Sequence, residues 1–327
     1  MTFYETQEGF RRLNALGTGG EDFFFLISFD RERILAEPLD QLPCKLLYRL
    51  DDWSNEPKLP PPKPSSERGI RIFPPAYTDY LDAFERVQEE IRRGNTYLLN
   101  LTFASPIETQ ASLEEIYYSA QAPYKLHLPG LFTCFSPEKF ITIRHGKIFT
   151  YPMKGTIDAS LPDAAEKILQ DPKETAEHVM ITDLMRNDLN RVSRNVRVTR
   201  FRYLDKIPAG DRDLYQVSSE IIGELSDDWR AHIGSILAEI TPAGSISGTP
   251  KRKTLEIIER IENYQRGFYT GVFGVCKREE LRSAVLIRFL EKAESEGLYY
   301  YKSGGGITLD SDPEREYQEL LSKIYLP

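Results

Sequence analysis

The chain has 327 residues, 40% of them apolar, and a net charge of −8. That length and apolar content suit a globular protein with a sizeable buried core. The acidic balance argues against a protein that coats nucleic acid, and no apolar run approaches the roughly 18 residues of a membrane span.

In chain order, the first strand-like run is Phe23 to Ser28 and the next lies around Cys44 to Leu50. Glu56 to Ser66 carries five prolines and reads as an extended linker. The sequence therefore divides into a short N-terminal region, 1–66, packed on the main body, and a main domain, 67–327. Tyr80, Phe84, Val87 and Ile91 recur at helical spacing, which predicts a helix over 77–93. Strands are predicted at 97–103, 140–143, 196–200, 272–276, 284–289 and 298–301, and helices at 163–169, 175–185, 233–240 and 250–262. Strands and helices mix without βαβ alternation, which points to an α+β fold with large, largely antiparallel sheets.

The three cysteines, Cys44, Cys134 and Cys276, are far apart and match no metal spacing. With no signal peptide at Met1-Thr-Phe-Tyr, they suit a reducing cytoplasm. The histidines form no HExxH motif, which argues against zinc hydrolysis.

Five segments carry possible chemistry. In Tyr151-Pro-Met-Lys-Gly-Thr156, Lys154 is constrained by its proline and glycine neighbours, and reads either as a turn lysine or as a desolvated nucleophile. In Ser136-Pro-Glu-Lys-Phe140, Glu138 reads as an exposed turn residue or as a general acid. The segment from Lys173 to Asp188 places Glu177, Met180 and Leu184 on one helix face and ends in a charged cluster, structural or ligand-binding. In Thr241-Pro-Ala-Gly-Ser-Ile-Ser-Gly-Thr-Pro-Lys251, Thr249 is expected as N-cap of a helix starting at Pro250, a candidate anion site. Lys251, Arg252 and Lys253 read as a solvated helix face. Last, Ser303, Gly304, Gly305 and Gly306 permit close backbone approach. Downstream, Glu316, Glu319 and Lys323 fall on one helical face, and two such carboxylates with Glu177 would suit Mg²⁺.

Together these segments resemble the chorismate-binding enzymes: anthranilate synthase large subunits, aminodeoxychorismate synthase component I, and isochorismate and salicylate synthases. The most specific pieces are Asp183-Leu-Met-Arg-Asn-Asp-Leu, Ala243-Gly-Ser-Ile-Ser-Gly-Thr-Pro-Lys, and Ser303-Gly-Gly-Gly-Ile with the following Glu-Tyr-Gln-Glu. The resemblance implies two large antiparallel sheets packed face to face with helices outside. It implies Glu138 as the acid that helps the C4 hydroxyl of chorismate leave, and Glu177, Glu316 and Glu319 as the magnesium site. It also implies Tyr269, Arg288, Ser303, Lys323 and the Gly304–Gly306 amides as the groups holding the substrate carboxylates. Lys154 points to the aminodeoxychorismate branch, in which a lysine attacks C2, ammonia enters at C4, and the product is 4-amino-4-deoxychorismate, a precursor of 4-aminobenzoate and folate. No glutaminase nucleophile segment is present, so ammonia is expected from a separate glutamine amidotransferase. Anthranilate synthase component I and a non-catalytic chorismate-binding subunit are the competing readings.

Two positions depart from the family's pattern. Leu98 stands where relatives carry lysine or glutamine, and leucine cannot activate water. Gln216 stands where many members carry histidine and cannot titrate. The N-terminal region lacks the element that holds tryptophan in larger members, so no tryptophan feedback is expected.

Overall fold

A computed structural model describes residues 1–57, 69–209 and 212–326. The expected linker falls, from residue 58 to 66, outside the described residues. Among the described residues the strands form two nine-stranded sheets, with every strand pairing antiparallel.

The strand Phe23–Ile27 shows how the layers are built. Strand side chains alternate between faces. Phe23, Phe25 and Ile27 enter one apolar cluster with helices Thr6–Thr18, Pro172–Asn190 and Ile233–Ile240. Phe24 and Leu26 enter another, with Leu126, Phe132 and Phe289 of the second sheet. A continuous apolar run is what a strand covered on both faces requires. The second sheet is covered outside by helices Tyr77–Arg92, Leu113–Ser119, Lys251–Ile261 and Pro313–Ser322. The order is helices, sheet, sheet, helices: the α+β architecture expected, with the sheets face to face.

The N-terminal segment is built into both sheets. Phe23–Ile27 pairs with Val272–Lys277 in the first, and Leu47–Leu50 pairs with Tyr124–Leu128 in the second. No helix among the described residues is long and apolar enough to cross a membrane.

Most predicted elements appear, usually longer than their apolar cores. Two predictions need correction. The single strand expected over 284–289 is two strands, Glu280–Val285 in the first sheet and Phe289–Lys292 in the second. They are separated at Arg288, whose φ is +55°, a conformation that breaks a ladder. The helix expected from Pro250 begins at Lys251, with Pro250 itself in the cap position and no side-chain cap. Thr249 instead pairs with Leu98 at the edge of the second sheet.

Candidate active site

The chain passes between the sheets twice at one place. Strand Phe132–Ser136 belongs to the second sheet and Lys139–Arg144 to the first, with Glu138 on the crossing. The other crossing carries Arg288. The two are tied together: Val285 N–H donates to the Glu138 carbonyl and Phe135 N–H to the Arg288 carbonyl, both at 3.1 Å. The acid and the guanidinium therefore sit where both sheets fix their backbone.

Lys154 lies on the strand Met153–Asp158, paired with Arg212–Glu224. The register runs Met153 to Ser218 but Thr156 to Gln216, so one extra residue bulges at Lys154–Gly155. Gly155 has φ +81°, and a Cβ there would lie 2.7 Å from Glu174 Oε2. The positive φ favours glycine there, and such a bulge re-aims the neighbouring side chain. The expectation of a constrained backbone at Lys154 has this physical form.

The Lys154 amine points at the glycine strand Leu298–Ile307, which lies inside the second sheet. A Cβ on Gly306 would come within 3.0 Å of Lys154 Nζ and 3.9 Å of Leu98 Cδ1. A Cβ on Gly305 would sit 3.6 Å from Glu316 Oε2 and 3.8 Å from Lys323 Nζ. The glycines leave open the space into which two amines and a carboxylate project. Lys323 Nζ donates to the Gly304 carbonyl at 2.8 Å and pairs with Glu319 at 2.7 Å.

These charges act on one another. Burial raises the Glu138 pKa, while the Ser245 hydroxyl, Lys154, Arg288 and Lys323 pull against that rise. Burial lowers the Lys323 amine, helped by Arg288 and Lys154 and opposed by Glu319. Ser245 Oγ donates to Glu138 Oε1, which leaves Oε2 as the oxygen to carry a proton. Burial also raises Tyr269 above the ordinary phenol range, and its ring packs 5.9 Å from Phe289. Arg288 Nε and Ser303 Oγ are buried without a hydrogen-bond partner. Unmatched buried donors are costly unless something binds them.

The three expected metal ligands come from two helices. Glu177 and Glu316 are each 8% exposed, whereas the Glu319 side chain is 56% exposed. Among the described residues no group of three His, Cys, Asp or Glu side chains is gathered as a metal would require. Lys154 stands 3.9 Å from Glu177, and Lys323 holds Glu319. The donor set is nonetheless all hard oxygen, the chemistry Mg²⁺ selects.

The charged cluster after Glu177 is structural at its far end. Asp188 accepts from Lys251 Nζ at 2.6 Å, which also reaches the Ile240 carbonyl at 3.2 Å. Lys251 is thus not on the solvated face expected of it; Arg252, 96% exposed, is. Next to this pair, a Cβ on Gly244 would lie 3.2 Å from Asp188 Oδ2. The pair pins the loop that carries Ser245 to the helix that carries Glu177. Sequence reasoning named this loop but not Ser245, and it passed over His178, which follows Glu177 and is fully buried.

The family model for chorismate binding enzymes matches residues 24–326. The chain belongs to that family. An uncharacterized PabA-like protein of Pasteurella multocida is 46% identical over 97% of both chains. The aminodeoxychorismate synthase component 1 of Bacillus subtilis is 32% identical over 75% of this chain and 54% of that protein. The anthranilate synthase component 1 of Haloarcula marismortui is 34% identical over 75% of this chain and 51% of that one. The chain thus spans about half the length of these named synthases. Among solved structures, anthranilate synthase component I of Streptococcus pneumoniae superposes with a TM-score of 0.66 at 25% identity, over 79% of this chain and 59% of that one. The menaquinone-specific isochorismate synthase of Escherichia coli superposes at 0.72 with 17% identity, over 99% and 82%.

Proposed function

We propose that this chorismate-binding enzyme is an aminodeoxychorismate synthase component I, which makes 4-amino-4-deoxychorismate from chorismate and ammonia. The observation that carries the reading is Lys154: a bulge turns its amine toward Gly306, beside Leu98. Leu98 is 1% exposed, and its apolar side chain offers no base to activate water there, which supports an amine rather than water as the attacking group. The lysine attacks C2 of chorismate while Glu138, whose pKa burial raises, gives a proton from Oε2 to the departing C4 hydroxyl. Ammonia enters at C4 and the lysine leaves. Arg288, Ser303, Tyr269, Lys323 and the Gly304–Gly306 amides hold the substrate carboxylates, a role supported by the unpartnered Arg288 Nε and Ser303 Oγ. Glu177, Glu316 and Glu319 would hold Mg²⁺, whose charge would neutralise the ring carboxylate. Ammonia comes from a separate glutamine amidotransferase, and the setting is the cytoplasm, in keeping with three free cysteines.

The test is product analysis after incubation with chorismate, Mg²⁺ and ammonium, with and without a glutaminase subunit. The expected product is 4-amino-4-deoxychorismate without pyruvate release. Anthranilate with pyruvate would assign the chain to the anthranilate branch, the activity named for its Haloarcula relative. Chorismate bound but unchanged would make it a non-catalytic subunit.

A further inference from the structure

The ion pair between Arg266 and Glu262 is sealed from solvent, each side chain 2% exposed. Glu262 directly follows the helix Lys251–Ile261. The pair is two-pronged: Arg266 Nε donates to Glu262 Oε2 at 2.8 Å and Nη2 to Oε1 at 2.7 Å. The other guanidinium protons leave the pair. Nη2 also donates to the Asn100 carbonyl. Nη1 donates to the Ile246 carbonyl at 2.9 Å and to Thr270 Oγ1 at 3.4 Å. All five N–H groups of the fork thus have an acceptor, and the guanidinium carbon lies 4.4 Å from the centre of the Phe29 ring.

Two of these acceptors belong to the candidate site. Ile246 follows Ser245, whose hydroxyl donates to Glu138. Asn100 lies on the strand Leu98–Thr109, paired with Gly306, and its own N–H donates to the Ser247 carbonyl at 2.9 Å. Glu262 reaches the same strand two residues on. Its Oε1 accepts the Thr102 N–H at 2.9 Å and the Thr102 hydroxyl at 2.8 Å, where Thr102 pairs with Gly304. One buried pair therefore joins the strand beside the glycines to the loop beside the acid. An ion pair kept only for stability is replaceable by apolar side chains at little cost. A fork that divides its donors among separate stretches of chain is not.

We infer that Arg266 is a positioning residue: held by Glu262, it fixes the Ile246 carbonyl and with it the Ser245 hydroxyl against Glu138. The inference rests on the reading of Glu138 as the general acid.

Arg266→Lys keeps a charge beside Glu262 but has no fork to reach Ile246 and Asn100 together. It is assayed for chorismate turnover beside Ser245→Ala and the double variant. Each single substitution is expected to lower kcat about 10-fold, a fraction of what a general acid contributes. The double variant should fall about 10- to 20-fold, where independent effects would multiply to about 100-fold. KM for chorismate in Arg266→Lys should stay within about threefold. Multiplying effects, a change confined to KM, or an unchanged kcat in either single variant would overturn the role. Glu262→Gln loosens the guanidinium from its other side. Put through the same cycle with Ser245→Ala, it is expected to overlap in the same way, so the test stands if the lysine variant does not fold. Glu138→Gln, assayed alongside, keeps the two ideas apart. Full turnover in that variant removes the acid reading. The Arg266–Ser245 cycle read by urea denaturation still reports on the grip: coupled losses of stability are expected, and additive ones overturn it.

Discussion

Glu177 and Asp188 stand about three turns apart on one side of the helix Pro172–Asn190. Each is 8% exposed, and each faces a lysine from a distant part of the chain. The Asp188–Lys251 pair is closed at 2.6 Å and roofed by the Gly244 loop. The Glu177–Lys154 pair is open at 3.9 Å and borders the glycine strand. A closed buried pair spends its charges on each other and fixes the chain around it. At 3.9 Å the Lys154 amine is not closed on Glu177 and can turn toward the glycine strand. Both places set an equally buried carboxylate against a lysine; the difference lies in whether the backbone lets the partners meet.

The comparison can be broken at several points. The largest effect is expected at Lys154. Lys154→Ala should lower turnover by ~10⁴-fold or more, as loss of a nucleophile does, with thermal stability close to the parent's. A variant that keeps its turnover would show that the open pair has no chemical role. Asp188→Asn should do the reverse. It leaves the buried Lys251 amine without its counter-charge, at a cost of about 3–5 kcal/mol in unfolding free energy, measurable by urea denaturation. Glu177→Gln should cost less, about 1 kcal/mol, since Lys154 stands 3.9 Å from it where Lys251 closes on Asp188 at 2.6 Å, while turnover falls. If Glu177→Gln unfolds as easily as Asp188→Asn, the distinction between open and closed pairs fails.

The smallest change in stability, and the most diagnostic, is at Glu138, a buried carboxyl whose pKa in the folded state is raised. Such a group stabilises the fold at low pH, and that contribution is lost as pH rises through the folded-state value. Glu138→Gln should therefore raise the melting temperature at pH 8 and leave it nearly unchanged at acidic pH, while abolishing turnover. A lower melting temperature at pH 8 would show that Glu138 supports the fold instead of straining it.

Much of this arrangement was readable in the sequence. The periods of Tyr80, Phe84, Val87 and Ile91 gave a helix because they lie on one face of it. The motif residues gave the family, and Pro152 and Gly155 flagged the backbone at Lys154. What was not readable depended on distant partners. Lys251 looked solvated because Asp188 lies 63 residues away. The break at Arg288 was hidden because arginine carries no turn signal; its left-handed φ is imposed by the crossing between sheets. His178 looked like one of four scattered histidines because Ser219, to which its Nε2 bonds, lies 41 residues away.

The strand that carries Lys154 has consequences for change over generations. Glu138 and Arg288 sit where both sheets hold the backbone, so any alteration there disturbs two layers at once. The strand Met153–Asp158 pairs, among the described residues, only with Arg212–Glu224. A residue on so lightly tied a strand can be exchanged with little harm to the rest of the molecule. On the proposed reading, an ancestral scaffold could thus trade one attacking group for another at position 154 while Glu138 and Arg288 stayed as they were.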